Sequence, residues 1–321
     1  MGNVSNQTRR AQAIAFLRAA IAMSRPFFLA GTVPLYLVGT LAAVRDPRGL
    51  LLAPFAVGLG LVLLVQLLTH YYNEYHDVET DRTAAESTLT GGSGALATQA
   101  VSPSFARQLG RATIGLTVVV AGTLALIVPA PLVPLGVLGL AMLFGWAYSS
   151  PPLRLVARGL GEVTVVLMAG IFVPAFAYYL QAGTLGADLR PVLATLVPLT
   201  FAMNVSTTLP DRAGDRRTGK RTLAVRLGAR RVADLGLLAF LAGSIVGTWT
   251  INWIRPGAWV LGVVVTGIVV LAGWRPFRGA RAGDQQAAST LAVIVTTAYG
   301  TMVLGLSLVF VAAAWSIRLP W

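Results

Sequence analysis

Two stretches of this 321-residue chain gather side chains that can hold charge in an ordered way. The first, N-E-Y-H-D-V-E-T-D, places Asn73, Asp77 and Asp81 at four-residue intervals. On a helix such positions share one face, so one amide carbonyl and two carboxylates point into the same space. The second, P-D-R-A-G-D-R-R-T-G-K-R-T, repeats the interval with Asp211 and Asp215. Four carboxylates converging on one place repel each other unless cations sit between them. Magnesium suits this arrangement, because it takes one or two carboxylates per ion and completes its shell with water and phosphate oxygens. Two clusters imply two ions that clamp a diphosphate from both sides. The plainer reading of paired aspartates at a helix end is a solvated terminus with caps and dipole complementarity. Recurrence of the pattern, each time after an apolar run and each time followed by arginines, favours the metal site. Equivalent carboxylates at i and i+4 offer no environment that separates two pKa values, which argues against the acid–base pair of a hydrolase.

Basic and aromatic residues complete an anion site. Arg154, in Y-S-S-P-P-L-R, can hold a diphosphate through paired guanidinium hydrogen bonds, and Tyr148 can donate one more. Both also fit ordinary roles as membrane-edge anchors. Lys220, the only lysine in the chain, reads equally as a phosphate contact or a loop anchor. His70 and His76 lack partners at zinc-type spacing. With no cysteine at all, disulfides, thiolate nucleophiles and cysteine-based zinc sites are excluded.

The elements that position these residues lie in a membrane. The chain is 55% apolar and 12% charged, with a mean hydropathy of +0.72, whereas a soluble domain carries about 25% charge. Apolar runs at about 26–44, 50–72, 109–128, 132–149, 160–180, 191–209, 232–252, 257–273 and 289–315 predict nine spanning helices of roughly 20 residues. The expected fold is therefore an all-α integral membrane protein, with a cytoplasmic, interfacial arm at 1–25 and a single membrane-embedded domain at 26–321. The runs are continuous rather than alternating, which excludes a membrane barrel. Arg9, Arg10, Arg18 and Arg25 frame the first apolar stretch in a way that does not resemble a cleavable signal. Twenty of the 25 Lys and Arg residues fall in one set of alternate loops, and the positive-inside rule makes that set cytoplasmic. The N-terminus is then inside, the C-terminus outside, and both acid motifs face the cytoplasm. The formal charge of +13 is accounted for by those loops. No basic module interleaved with aromatics points to nucleic acid.

The string N-E-Y-H-D-V-E-T-D resembles the first aspartate-rich motif of the UbiA superfamily of intramembrane prenyltransferases, N-x-x-x-D-x-x-x-D. D-R-A-G-D-R-R-T-G-K-R-T-L-A-V-R-L-G is similar to its second. Between them, Y-S-S-P-P-L-R, R-G-L-G-E and Y-Y-L-Q-A-G-T-L look like the corresponding stretch of members that prenylate 1,4-dihydroxy-2-naphthoate. The resemblance covers Arg25 to about Gly228 and implies a UbiA-like nine-helix bundle in a prokaryotic cell membrane, with its active site on the cytoplasmic side. It implies that Asn73, Asp77, Asp81, Asp211 and Asp215 hold magnesium and diphosphate, and that Tyr148, Arg154 and Lys220 contact the diphosphate. The implied reaction is magnesium-dependent transfer of a polyprenyl group from an isoprenoid diphosphate to a hydroxylated aromatic acceptor, through an allylic carbocation. There is one departure. Quinone-type members commonly carry asparagine four residues before the first aspartate of the second motif, and here that position is Thr207, with Asn204 a turn further into the membrane. A UbiA-type cyclase, or transfer to a lipid acceptor, would share the metal site. A secondary transporter would place its carboxylates near mid-membrane rather than at helix ends.

Overall fold

The structure, a computed structural model, describes residues 2–44, 49–83, 93, 95–96 and 101–316, and within them it contains no strand. α1 (Gly2–Met23) passes into α2 (Pro26–Ala43) through Arg25, whose left-handed backbone, φ 49, makes the elbow. Pro26 then opens α2 at a position where no intrahelical N–H is needed. α3 (Leu52–Thr83), α4 (Pro103–Ile127) and α5 (Leu132–Ser149) follow. The next span is composite: α6 (Gly161–Val165), a π-helical stretch (Val166–Phe172) and α7 (Val173–Ala182). α8 (Leu189–Thr208), the short α9 (Arg212–Arg217), α10 (Leu223–Ile254), α11 (Trp259–Ala282) and α12 (Gln285–Ser316) complete the order.

Among the described residues, nine segments are long and apolar enough to cross a bilayer, in register with the nine runs read from the sequence. Several helices outrun their apolar signal: α3 runs to Thr83 rather than 72, and α4 starts at Pro103 rather than 109. α10 begins at Leu223 rather than 232, and α11 continues to Ala282 rather than 273. Arg275, Arg278 and Arg281 end the apolar run of α11 without ending the helix, because arginine is a good helix former, whereas α10 is two helical segments joined at a kink, where Gly228 takes φ 81 and ψ 161 between Arg226 and Arg230.

α3 packs on α4 and α5, α2 on α7, and α8 against α10, α12 and the π-helical stretch. Gly39 permits the α2–α7 approach, since a Cβ there would fall on the Pro174 carbonyl. One core cluster joins Leu35, Leu196, Leu199, Phe240 and Val303, and a second joins Tyr36, Leu61, Val65, Leu138 and Phe176. The outer surface is apolar as well: Leu126, Leu132 and Leu271 are 87%, 84% and 81% exposed. In water each such residue would forfeit about 25 cal/mol per Å2 of apolar area. Hydrocarbon is the solvent of this belt, and the backbone inside it is satisfied by its own helices. At one end of the bundle, the last turns of α3 meet α9, the helix that carries the second acid motif.

Candidate active site

The second acid motif owes its shape to how α9 stops. Gly219 takes the left-handed conformation, φ 76, and two hydrogen bonds close the helix behind it: Gly219 N–H to the Arg216 carbonyl at 3.3 Å and Lys220 N–H to the Asp215 carbonyl at 2.9 Å. This is the Schellman pattern, which favours glycine at the left-handed position. It folds the G-K-R-T strip back over Asp215. Thr222, which precedes α10, donates its hydroxyl to Asp215 Oδ2 at 3.2 Å. Asp211 stands at the start of α9 and accepts the Asp215 N–H on its main-chain carbonyl at 2.9 Å.

The first motif meets the second through Lys220. Its Nζ lies 3.2 Å from Asp77 Oδ2, and both side chains are buried. Four residues earlier on α3, Asn73 Oδ1 accepts the Ser149 hydroxyl at 2.7 Å, tying the motif to the end of α5. Tyr148, next to that serine, lies within electrostatic reach of Glu162, Asp77, Arg25 and Asp215. α3 continues past Asp81 to Thr83, and the Asp81 side chain lies outside the described residues. Asn73, Asp77, Tyr148, Asp215 and Lys220 are thus gathered at one end of the bundle, with Asp211 one turn from Asp215. Arg154 is exposed in the loop after α5, with a left-handed backbone, φ 43, and its charge is felt at His76 beside Asp77. Arg158 instead braces that loop by donating to the Pro152 carbonyl at 2.7 Å.

Two acidic residues turn out to have roles that the motif spacing did not disclose. Glu74 is 2% exposed. It receives Arg25 Nη2 at 2.9 Å and Nε at 3.2 Å, and both the N–H and the hydroxyl of Ser93 at 2.8 Å. Its oxygens are committed to holding the α1–α2 elbow and the α3–α4 connection. Glu162, from R-G-L-G-E, is 1% exposed, and its Oε1 accepts the Leu223 N–H at 2.8 Å. It caps α10 from another helix, immediately after the G-K-R-T strip. The Arg221 N–H adds a bond to the Ala157 carbonyl at 2.9 Å. Gly159 is required beside this seam, since a Cβ there would come within 2.6 Å of the Arg221 carbonyl. The sequence signal for Glu162 was a lone acid opening an apolar run, a feature that marks function or pairing in a membrane helix.

The charge balance decides what the site can hold. Burial pushes the Asp215 carboxyl up to about 6; Lys220 draws it down, Asp211 raises it further, the Thr222 hydroxyl lowers it and Asp77 raises it. Burial is the largest of these influences, and the single ammonium does not offset it. Among the described residues, no three His, Asp or Glu groups converge tightly enough to hold an ion on their own. The donors are all oxygens, carboxylate and amide. Such a set fits a hard divalent cation that shares its shell with phosphate oxygens.

A profile for the UbiA prenyltransferase family matches residues 32–295. The chain belongs to the UbiA prenyltransferase family. This prenyltransferase is a membrane-embedded transferase enzyme, 26% identical over 246 residues to the 1,4-dihydroxy-2-naphthoate octaprenyltransferase of Bacillus subtilis (strain 168); the match spans 76% of this chain and 73% of that one. Its fold is similar to that of a UbiA homolog from Archaeoglobus fulgidus solved bound to GPP and Mg2+, with a TM-score of 0.63 at 16% identity, covering 89% of the prenyltransferase and 99% of the homolog. It is also similar in fold to a digeranylgeranylglyceryl phosphate synthase, with a TM-score of 0.57 at 13% identity over 94% of the prenyltransferase and 99% of the synthase.

Proposed function

We propose that this enzyme transfers a polyprenyl group from an isoprenoid diphosphate to a hydroxylated aromatic acceptor, releasing diphosphate. The observation that carries the reading is the meeting of both acid motifs across one buried ammonium, Asp77 of α3 paired to Lys220 beside Asp215. Asp77, Asp81, Asp211 and Asp215, with the Asn73 carbonyl, are the groups that would hold magnesium, two ions shared between the motifs. Bound there, magnesium supplies positive charge to the departing diphosphate. Lys220 and Arg154 take the remaining phosphate oxygens, the latter through its planar fork, and Tyr148 can donate one more hydrogen bond. The allylic C–O bond breaks with its electron pair leaving on the diphosphate, an electron-rich ring carbon attacks the cation, and the carboxyl or proton on that carbon departs. The apolar helix walls keep water from the cation. The aromatic acceptor is supported by the Bacillus subtilis relative, named for a dihydroxynaphthoate.

The same reading sets the site on the cytoplasmic side, with the N-terminus inside and the C-terminus outside. α1 is an interfacial arm in this arrangement. Its exposed Ile14, Phe16, Leu17 and Ile21 lie on a helix with exposed Arg10 and Arg18, the mixture that binds an anionic membrane surface.

The test is release of diphosphate and product mass, measured on purified protein with an isoprenoid diphosphate and a panel of acceptors. Asp77→Ala and Asp211→Ala are expected to insert in the membrane yet lose about 100-fold or more in rate, the usual cost of removing one strong electrostatic contact to developing charge. Chelation by EDTA is expected to do the same to the parent. Near-normal turnover in either variant overturns the clamp, and a product lacking the acceptor mass overturns transfer in favour of cyclisation.

A further inference from the structure

The polar side chains of α8 are accounted for almost one by one. Thr195 donates to the Pro191 carbonyl and pairs with Thr250; Thr200 pairs with Tyr299; Ser206 donates to the Ala202 carbonyl and Thr208 to the Val205 carbonyl. Thr207, which stands where quinone-type relatives carry asparagine, spends its hydroxyl on the main-chain carbonyl of Asn204 at 2.8 Å. Asn204 differs. It is 9% exposed, and its Oδ1 has no hydrogen-bond partner among the described residues. A buried amide oxygen inside a membrane span is costly to leave unmet, so a polar residue there is first read as functional.

Its placement says what could meet it. Thr200 and Val197 lie one and two turns back on the same face, and both sit against Gly170, where a Cβ would come within 3.2 Å of the Thr200 hydroxyl and 3.5 Å of the Val197 Cα. This face therefore looks at the π-helical stretch, a departure from regular helix that is frequent at functional sites. In the other direction α8 ends at Thr208, and a turn through Leu209 and Pro210 leads to Asp211 at the start of α9. Asn204 lies about one turn inside α8 from the end that leads to Asp211, about 6 Å along the axis at 1.5 Å per residue. A group held at Asn204 lies deeper than the acid motifs, on the side from which an acceptor must meet a carbon whose diphosphate is gripped at Asp211.

We propose that Asn204 binds the acceptor, its Oδ1 taking a hydrogen bond from a ring hydroxyl, and that it selects hydroxylated aromatics over their ethers. The assignment rests on the function proposed above. Oδ1 accepts and cannot donate, so an O-methylated ring leaves it unpaired, the circumstance in which a polar site rejects an analogue most strongly.

The experiment compares kinetics for a dihydroxynaphthoate and its mono-O-methyl ethers in the parent and in Asn204→Leu, which keeps the bulk and removes the oxygen. The parent is expected to prefer the dihydroxy ring. In Asn204→Leu, kcat/KM for that ring is expected to fall about 10- to 100-fold, preference over the ethers to vanish, and KM for the prenyl diphosphate to stay unchanged. Should the leucine variant fail to fold, the same comparison is read in Asn204→Gln, whose displaced oxygen is expected to give a partial loss of preference. Parental acceptor kinetics and selectivity in the variant overturn the proposal. So does a parallel rise in KM for both substrates, the mark of a merely structural role. A parent that releases diphosphate but prenylates no hydroxylated ring overturns the function reading itself, a result separate from either of these.

Discussion

Arg154 and Arg158 lie four residues apart in one loop and differ in what they touch. The Arg158 fork is occupied with the Pro152 carbonyl, whereas Arg154 is exposed and holds a left-handed backbone. A non-glycine residue there costs on the order of 1 kcal/mol, a cost that persists where the position matters. Arg154→Lys keeps the charge and loses the planar fork. It is expected to weaken use of the prenyl diphosphate about 10- to 100-fold, equivalent to roughly 1.4 to 2.7 kcal/mol, while Arg158→Lys stays near the parent. Steady-state kinetics decide, and equal, parental values for both variants would leave Arg154 as a topology signal only. At this scale the sequence disclosed residue types and intervals, because i, i+4 spacing on a helix is a local property. It could not disclose that Lys220 pairs with Asp77, or that Glu74 is spent on Arg25 and Ser93, since those partners come from other elements.

Glu162 shows how one element fixes another. Thr222 precedes α10 without capping it, its hydroxyl being given to Asp215. The carboxylate that caps the helix arrives from α6 and receives the Leu223 N–H. Negative charge at a helix N-terminus is favourable there, and the same contact holds the G-K-R-T strip in place. Glu162→Leu leaves a buried N–H unmet and is expected to cost about 1 to 3 kcal/mol, read as a lower apparent Tm in detergent. Glu162→Gln retains an acceptor and is expected to lose less. An unchanged Tm in the leucine variant would show that the bond contributes nothing. Hydropathy located all nine spans because burial in hydrocarbon needs only length and apolarity. It was blind to the π-helical stretch, which changes hydrogen-bond register without changing composition, and it missed the first segment of α10, a short basic helical piece set off from the apolar run by the kink at Gly228.

For the whole molecule, the alternation of basic loops is the signal that carries orientation. The chain has no cysteine, so single cysteines at exposed Arg217 and Ala187 can be labelled against a clean background. An impermeant thiol reagent is expected to reach Ala187→Cys in intact cells and Arg217→Cys only after permeabilisation; the reverse would invert the protein in its membrane. Counting basic residues predicts a global property from local composition alone, with no contact needed, and the labelling experiment tests it. A second whole-chain count has a different use. Lys220 is the only lysine in 321 residues, so a lysine-specific protease has one bond to cut, Lys220–Arg221. That bond lies between the Schellman turn and the hydrogen bond from Arg221 to Ala157, on a residue 8% exposed. A protease must draw several residues of extended backbone into its cleft, so cutting waits for the turn to open and follows the population of that open form. The rate at which fragments 1–220 and 221–321 appear is thus a clock on how firmly the two acid motifs are held together, and it runs without substrate, product or label.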